Sequence, residues 1–276
     1  MNTFKASSSN VSISDLLKKY NSTHTTPLNI HILTPCYGGM CHLNYMTCIL
    51  NTISLFNLFN ISYKLLFTSN DSLITRARNN LVAKSMSDPD MTHIIFIDND
   101  ITWDPVDILK LIIHDKPIVG GIYPIKRYYW DKLKNSNFID KNTQNDENTI
   151  QSSLLEYNLN YISNKLTIEN NITEVKHIAT GFMMIQRNTI EELFKEYPET
   201  KYTDDVDFLN DEQNKYAYAL FDCKVIDDHY YSEDWLFCHR LTLLNKKIYA
   251  DISIDLTHSG MEHYKGSIIN ALTKQI

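Results

Sequence analysis

The chain has 276 residues, 43% of them hydrophobic, enough for one large α/β domain with a sizeable core or for two small ones. A formal charge of −7 argues against a general nucleic-acid binder, whose phosphate contacts need a basic surface. The five cysteines are odd in number and form no CxxC pair, which points to reduced thiols in a cytosol-like compartment and against a disulfide framework.

Residues 1–27 are rich in Ser, Thr and Asn, with one short helix expected around 14–20, and read as a flexible arm outside the core. This start lacks a basic-then-apolar pattern, so no signal peptide is expected. The most apolar helical stretch, 46–59, is interrupted by Asn51 and Asn57 and is too short and polar to cross a bilayer. A soluble cytoplasmic protein is the expectation.

The domain proper is read as 28–267, followed by a tail over 268–276. NIHILTP predicts a strand, 43–59 a helix, YKLLFTS a strand, 72–85 a helix, HIIFID a strand, 106–114 a helix and PIVGGIYP a strand. Such alternation implies an α/β fold with a mostly parallel central sheet flanked by helices. Ligands of these sheets bind beyond the carboxyl ends of the strands, which here read TPCYGG, TSND, IDND and GGIYP. Residues 131–176 are dense in Asn, Lys, Asp and Ser and read as an insertion or mobile excursion. KHIATGFMMIQR then predicts one strand, 188–197 a helix capped by Asn188, 216–221 a strand, 232–245 a helix and KIYAD a short strand.

The chemistry starts at Asp98-Asn99-Asp100. Two other Asp-x-Asp triplets, at 88–90 and 205–207, lie in polar surroundings and read as turn or surface carboxylates. The triplet at 98–100 differs because it follows Ile94, Ile95, Phe96 and Ile97, a run suited to a buried central strand. Crowded carboxylates repel, and a divalent cation such as Mg²⁺ or Mn²⁺ relieves that repulsion. The competing role, capping the next helix, is already supplied by Asp104 before Pro105.

In SLITRARNNLVAKS, Ile74, Ala77, Leu81 and Ser85 share a helix face, with Val82 beside it. Arg78 falls on the same face, about 40° from Ile74, and needs an anionic partner there. That partner is either a structural carboxylate, with Asp98 a candidate, or a bound phosphate; Arg76 points the other way. In SEDWLF, Ser232 is suited to cap a helix whose first turn holds Glu233 and Asp234, where the helix dipole favours negative charge. The alternative role for such a carboxylate is to deprotonate an acceptor hydroxyl. His258 and His263 lie in the Gly-containing tail LTHSGMEHYKG, and a neutral imidazole suits Mn²⁺-type ions.

The order of TPCYGG, TRARNN, DND, TGFMMI, SEDWLF and THSG resembles GT-A-fold glycosyltransferases, in particular small ones encoded by phages and large DNA viruses. The ARN helix followed by an acidic triplet is also similar to the Anp1/Mnn9 mannosyltransferases. The resemblance spans 29 to about 267 and implies a single GT-A-like, Rossmann-like domain. It implies that Asp98 and Asp100, with His258, hold Mn²⁺ or Mg²⁺, and that Asp98 and Asn99 also meet the nucleotide sugar. Thr34, Pro35 and Tyr37 then lie in the loop around the base, Asp71 is a base-reading carboxylate, and Arg76 or Arg78 faces the donor. Gly181 and Phe182 would flank the sugar and acceptor, and Lys126 and Lys265 would contact phosphate. Asp234 matches the general base of inverting members, with Glu233 as its neighbour. The implied reaction moves a sugar from a nucleoside-diphosphate sugar, UDP by family habit, to a hydroxyl of a glycan, protein or small molecule. If Asp234 only caps its helix, a retaining route is implied instead.

Three other functions compete. A sugar nucleotidyltransferase would carry a Gly-rich basic loop after the first strand, where TPCYGGMCH offers only His42. A nuclease or phosphatase would need further clustered carboxylates. A non-catalytic binding or structural protein that kept the fold would tolerate loss of Asp100.

Overall fold

A computed structural model describes residues 12–134, 147–163 and 167–261. In chain order it contains α1 (Ile13–Thr23), β1 (Asn29–Cys36), α2 (Leu43–Leu58), β2 (Ser62–Ser69), α3 (Ile74–Met86), β3 (His93–Ile97) and a short β4 (Ile101–Thr102). Next come α4 (Pro105–His114), β5 (Ile118–Gly121), α5 (Glu147–Leu154), β6 (Leu159–Tyr161), β7 (Ile168–Glu169), β8 (Ile172–Ile178) and β9 (Phe182–Gln186). The chain continues with α6 (Arg187–Glu196), the hairpin strands β10 (Lys224–Ile226) and β11 (His229–Tyr231), α7 (Glu233–Leu243), β12 (Ile248–Asp251) and β13 (Thr257–His258).

The uninterrupted apolar run of β3 is buried at every position, as a strand covered on both faces must be. It lies inside a sheet of order β2-β1-β3-β9-β5-β12-β8-β6, with β7 also on β8. β2, β1 and β3 are mutually parallel, as are β5 and β12. Alternation along the strands sends one set of side chains to α1, α2 and α4, and the other to α3, α6 and α7. Ile95 and Ile97 join Tyr45, Ile49 and Ile108 on the first face, whereas Ile94 and Phe96 join Leu81, Phe237 and Leu241 on the second. The result is a mixed α/β domain of Rossmann-like layout, its central sheet flanked by helices.

The start of α4 follows the sequence expectation. Asp104 accepts the Val106 N–H at 2.9 Å, and the Asp107 carboxylate accepts the Asp104 N–H at 3.2 Å. Asp98 and Asp100 are therefore not needed as caps.

Several expectations are corrected. KHIATGFMMIQR is not one strand: the chain leaves β8 at Ile178, turns, and re-enters the sheet elsewhere as β9. β9 runs antiparallel between β3 and β5, and β8 antiparallel to β12, so the sheet is less uniformly parallel than expected. Residues 216–221 make no strand, only a single bridge from Tyr218 to Lys201. Helix α6 is capped at Gln186 and not at Asn188. Ile74, expected on the core face of α3, is exposed.

The expected arm is not wholly outside the core, because α1 buries Leu17 and Tyr20 in the cluster that contains α4. Residues 1–11 of that arm lie outside the described residues. The expected excursion at 131–176 contributes β6, β7 and the start of β8 to the sheet, while 135–146 and 164–166 lie outside the described residues, as do Lys265, His263 and the tail 268–276. Among the described residues no helix is long and apolar enough to cross a membrane.

Candidate functional site

Asp98 follows Phe96 by two positions and so turns to the α3 face of the sheet. Arg78 meets it there: its Nη2 donates to Asp98 Oδ1 at 3.1 Å, and its Nε donates to Glu233 Oε1 at 3.4 Å. The guanidinium carbon lies 5.3 Å from the Phe96 ring centroid. Arg78 is only 3% exposed. Burial opposes its charge, but Asp98 and Glu233 outweigh that penalty and its pKa is raised. The arginine expected on the core side of the helix thus finds Asp98, and the sequence did not point to Glu233 as its second carboxylate.

Backbone contacts fix the end of β3. The Asp98 N–H donates to the Gly181 carbonyl at 3.0 Å, and the Gly181 N–H donates to Tyr123 Oη at 3.2 Å. A Cβ at position 181 would stand 2.5 Å from that oxygen, so glycine is what lets Tyr123 approach. Burial raises the Tyr123 phenol pKa and keeps it a neutral hydrogen-bonding group. Its ring meets His258 edge-on, with centroids 5.0 Å apart.

Asp100 faces a different set of partners. Its Oδ2 is ion-paired with the Lys126 ammonium, and its Oδ1 lies 3.6 Å from His258 Nε2. His258 Nδ1 is 2.8 Å from the Pro124 carbonyl, which can only accept, so this nitrogen carries a proton and Nε2 is the ring nitrogen that faces Asp100. Burial alone would raise the Asp100 carboxyl, but His258 and Lys126 outweigh it and hold the pKa at about 2. His258 arrives through backbone pairing: β13 runs antiparallel to β4, and the Ser259 N–H donates to the Asp100 carbonyl at 2.8 Å.

The expected metal set of Asp98, Asp100 and His258 is therefore not drawn together. Asp98 turns to Arg78, while Asp100 and His258 face each other. Among the described residues no group of three or more His, Cys, Asp or Glu side chains is arranged to hold a metal.

The remaining expected residues divide clearly. Asn99 holds the loop after β1, donating from Nδ2 to the Met40 carbonyl at 2.6 Å and accepting the His42 N–H at 3.0 Å on its backbone oxygen. That loop turns through Gly38 and Gly39 at φ 72° and 67° and leaves Tyr37 exposed. Thr34 is buried and bonded to the Tyr45 hydroxyl at 2.6 Å, and Pro35 lies within β1, so Tyr37 is the member of this trio with an exposed side chain.

Asp71 and Arg76 are spent on each other. Arg76 donates from Nε and Nη2 to the two oxygens of Asp71 at 2.9 and 2.8 Å, and Asp71 also accepts the Leu73 N–H at the start of α3. Burial would raise the Asp71 carboxyl, but the Arg76 bonds outweigh it and lower its pKa. Phe182, expected beside the sugar, is 0% exposed and packs against Trp103 with centroids 6.2 Å apart, so it supports the site from beneath.

At the start of α7, Asp234 Oδ1 accepts the Trp235 N–H at 2.8 Å and the Ser232 hydroxyl. Glu233, its neighbour, is the one that reaches Arg78.

Beyond Lys126 and His258 opens a cavity of about 900 Å³ whose walls include Tyr128, Trp130, Tyr157 and Tyr161. The sequence reading passed over it, although the run KRYYW carried the signal, aromatic density without helical or strand periodicity.

No protein-family model and no curated protein matches the chain. Among solved structures it is similar to the "Crystal Structure of A197 from STIV", at 15% identity and a TM-score of 0.44, over 85% of this chain and 86% of that one. At that score the likeness carries no functional weight.

Proposed function

We propose that the chain is a GT-A-like glycosyltransferase that moves a sugar from a nucleoside-diphosphate sugar, with UDP the expected nucleotide, to a hydroxyl acceptor. The observation that carries this reading is the pairing of β13 with β4, which sets His258 Nε2 beside Asp100 just past a fully buried strand. A carboxylate oxygen and an imidazole nitrogen suit Mn²⁺, and with more difficulty Mg²⁺. Asp100 and His258 are the residues that would hold that ion. When bound, it neutralises charge growing on the departing nucleoside diphosphate.

The chain's own groups have defined tasks in this reading. Lys126, now on Asp100, brings a cation to the diphosphate. Arg78 holds Asp98 oriented toward the ribose or sugar, and Tyr37 lies against the base. Asp234 has one oxygen engaged at its helix start and the other for the acceptor proton. As that proton leaves, the acceptor oxygen bonds to the anomeric carbon and the bond from that carbon to the diphosphate oxygen breaks, inverting the centre. The engagement of Asp234 with Ser232 and Trp235 favours a second reading, a retaining transfer in which it only caps α7. The anomeric configuration of the first product, read by proton NMR, decides between them.

The test of the whole reading is a thermal-shift screen of nucleoside diphosphates with and without Mn²⁺. One of them at a hundred times its Kd should stabilise the native state by about 2.7 kcal/mol, and only with the metal. No shift with any nucleotide overturns it.

A further inference from the structure

The cavity beside Lys126 and His258 has a chemistry of its own. Tyr128 and Trp130 form a tilted pair with centroids 5.2 Å apart. Trp130, Tyr161 and Tyr157 are 57%, 53% and 44% exposed, and all three line this concavity. Large aromatic rings left open together in one hollow mark a surface kept for a ligand. Asn148 and Gln151 of α5 add side-chain amides, and Gln151 donates to the Tyr128 hydroxyl. Charged groups are sparse among the lining residues: Lys126 and Arg127, Asp255, and His258 if protonated.

This combination selects among ligand classes. A single-stranded nucleic acid would also stack on such rings, but its phosphates need a basic groove, and the chain carries a net charge of −7. A second nucleoside diphosphate has the same need. A sugar ring does not: its C–H face lies on an aromatic face while its rim hydroxyls bond to neutral amides and hydroxyls. The volume, about 900 Å³, lies in the upper part of the range of roughly 300–1,000 Å³ usual for ligand sites and admits more than one ring.

We infer that this cavity binds carbohydrate and is the acceptor side of the transfer site, its occupant an oligosaccharide. Lys126 and His258 line the cavity and also contact Asp100, so a sugar in it has a route to the donor end. The acceptor role rests on the glycosyltransferase reading; the binding of carbohydrate does not. The assignment moves acceptor recognition from Phe182, which is buried, to the aromatic wall.

The experiment is saturation-transfer-difference NMR on the full chain with maltotriose, cellotriose, mannotriose and triacetylchitotriose. At least one trisaccharide should receive saturation from aromatic protons. Trp130→Ala and Tyr161→Ala should each weaken it by about tenfold, the scale of one lost aromatic contact, with the unfolding midpoint checking that the variants fold. If no trisaccharide binds, or binding ignores both substitutions, the inference is overturned. The nucleotide screen on the same protein separates the two failures. Trisaccharide binding without a nucleotide response keeps the cavity and removes the donor reading; the reverse removes the cavity alone.

Discussion

His258 Nε2 lies 3.6 Å from Asp100 Oδ1 while the other ring nitrogen donates to the Pro124 carbonyl at 2.8 Å. The carbonyl accepts the Nδ1–H, so Nε2 is the ring nitrogen turned to Asp100 and would be the one to meet a cation held there. On the proposed function, Asp100→Ala should reduce nucleoside-diphosphate release from the donor by about 10²-fold or more. His258→Ala should abolish the metal dependence of nucleotide binding. Both are checked by release kinetics and by Mn²⁺ titration of the thermal shift; wild-type behaviour of Asp100→Ala would point to a non-catalytic protein.

Arg78 is the buried cation between Asp98 and Glu233. Arg78→Met leaves two carboxylates without their partner and should cost about 3–5 kcal/mol, seen as a lower denaturant midpoint at unchanged slope. Adding Glu233→Gln should recover part of the loss, because one of the two orphaned charges is removed. Strict additivity of the two changes would show that they do not share an ion pair.

Acid should weaken the fold in a defined window. His31, His93 and His177 are buried, and burial lowers each pKa from 6.5 to about 4. Above about pH 6.5 they are neutral in both states and contribute no slope. Between 6.5 and 4 the unfolded chain takes up protons that the native chain refuses, so stability falls as pH falls. Each histidine contributes up to about 1.4 kcal/mol per pH unit. Asp100, held at about 2, acts in the same direction only below its ordinary value of 3.8. Denaturant unfolding at several pH values, repeated with His93→Gln, should show a shallower slope in the variant; a flat wild-type profile would contradict the burial of these rings.

Gly181→Ala places a methyl group 2.5 Å from Tyr123 Oη. The ring is buried between Gly181 and His258, so it must shift, at a cost of about 1–3 kcal/mol. Because Tyr123 touches His258, the same change should also weaken metal-dependent nucleotide binding. Equal thermal shifts with nucleotide in the two proteins would show that Tyr123 does not position His258.

Parts of this site were legible in the chain because their signals are local. The apolar run before Asp98 specifies a buried strand, Asp104-Pro105 specifies the next helix start, and helical spacing places Arg78 on the core side. Asp98 was one candidate partner, since a buried guanidinium needs an anion, but a bound phosphate met the same requirement and only the structure chose Asp98. Glu233 did not follow, because SEDWLF offers two adjacent acids whose roles depend on the exact start of α7. The pairing of Asp71 with Arg76 was hidden for the same reason: a single turn of backbone decides whether the two side chains meet.

By itself the sequence determined an α/β domain of alternating strands and helices, with an acidic triplet at the end of its most buried strand. Only the tertiary structure decided that β9 enters antiparallel between β3 and β5, and that His258 is carried to Asp100 by β13. It also decided that Tyr128, Trp130, Tyr157 and Tyr161 line one cavity. The physical reason is range: periodicity and capping are written within one or two turns of chain. Strand insertion, ion-pair choice and cavity shape are instead set by contacts between residues far apart in sequence, whose energies depend on the packing that brings them together.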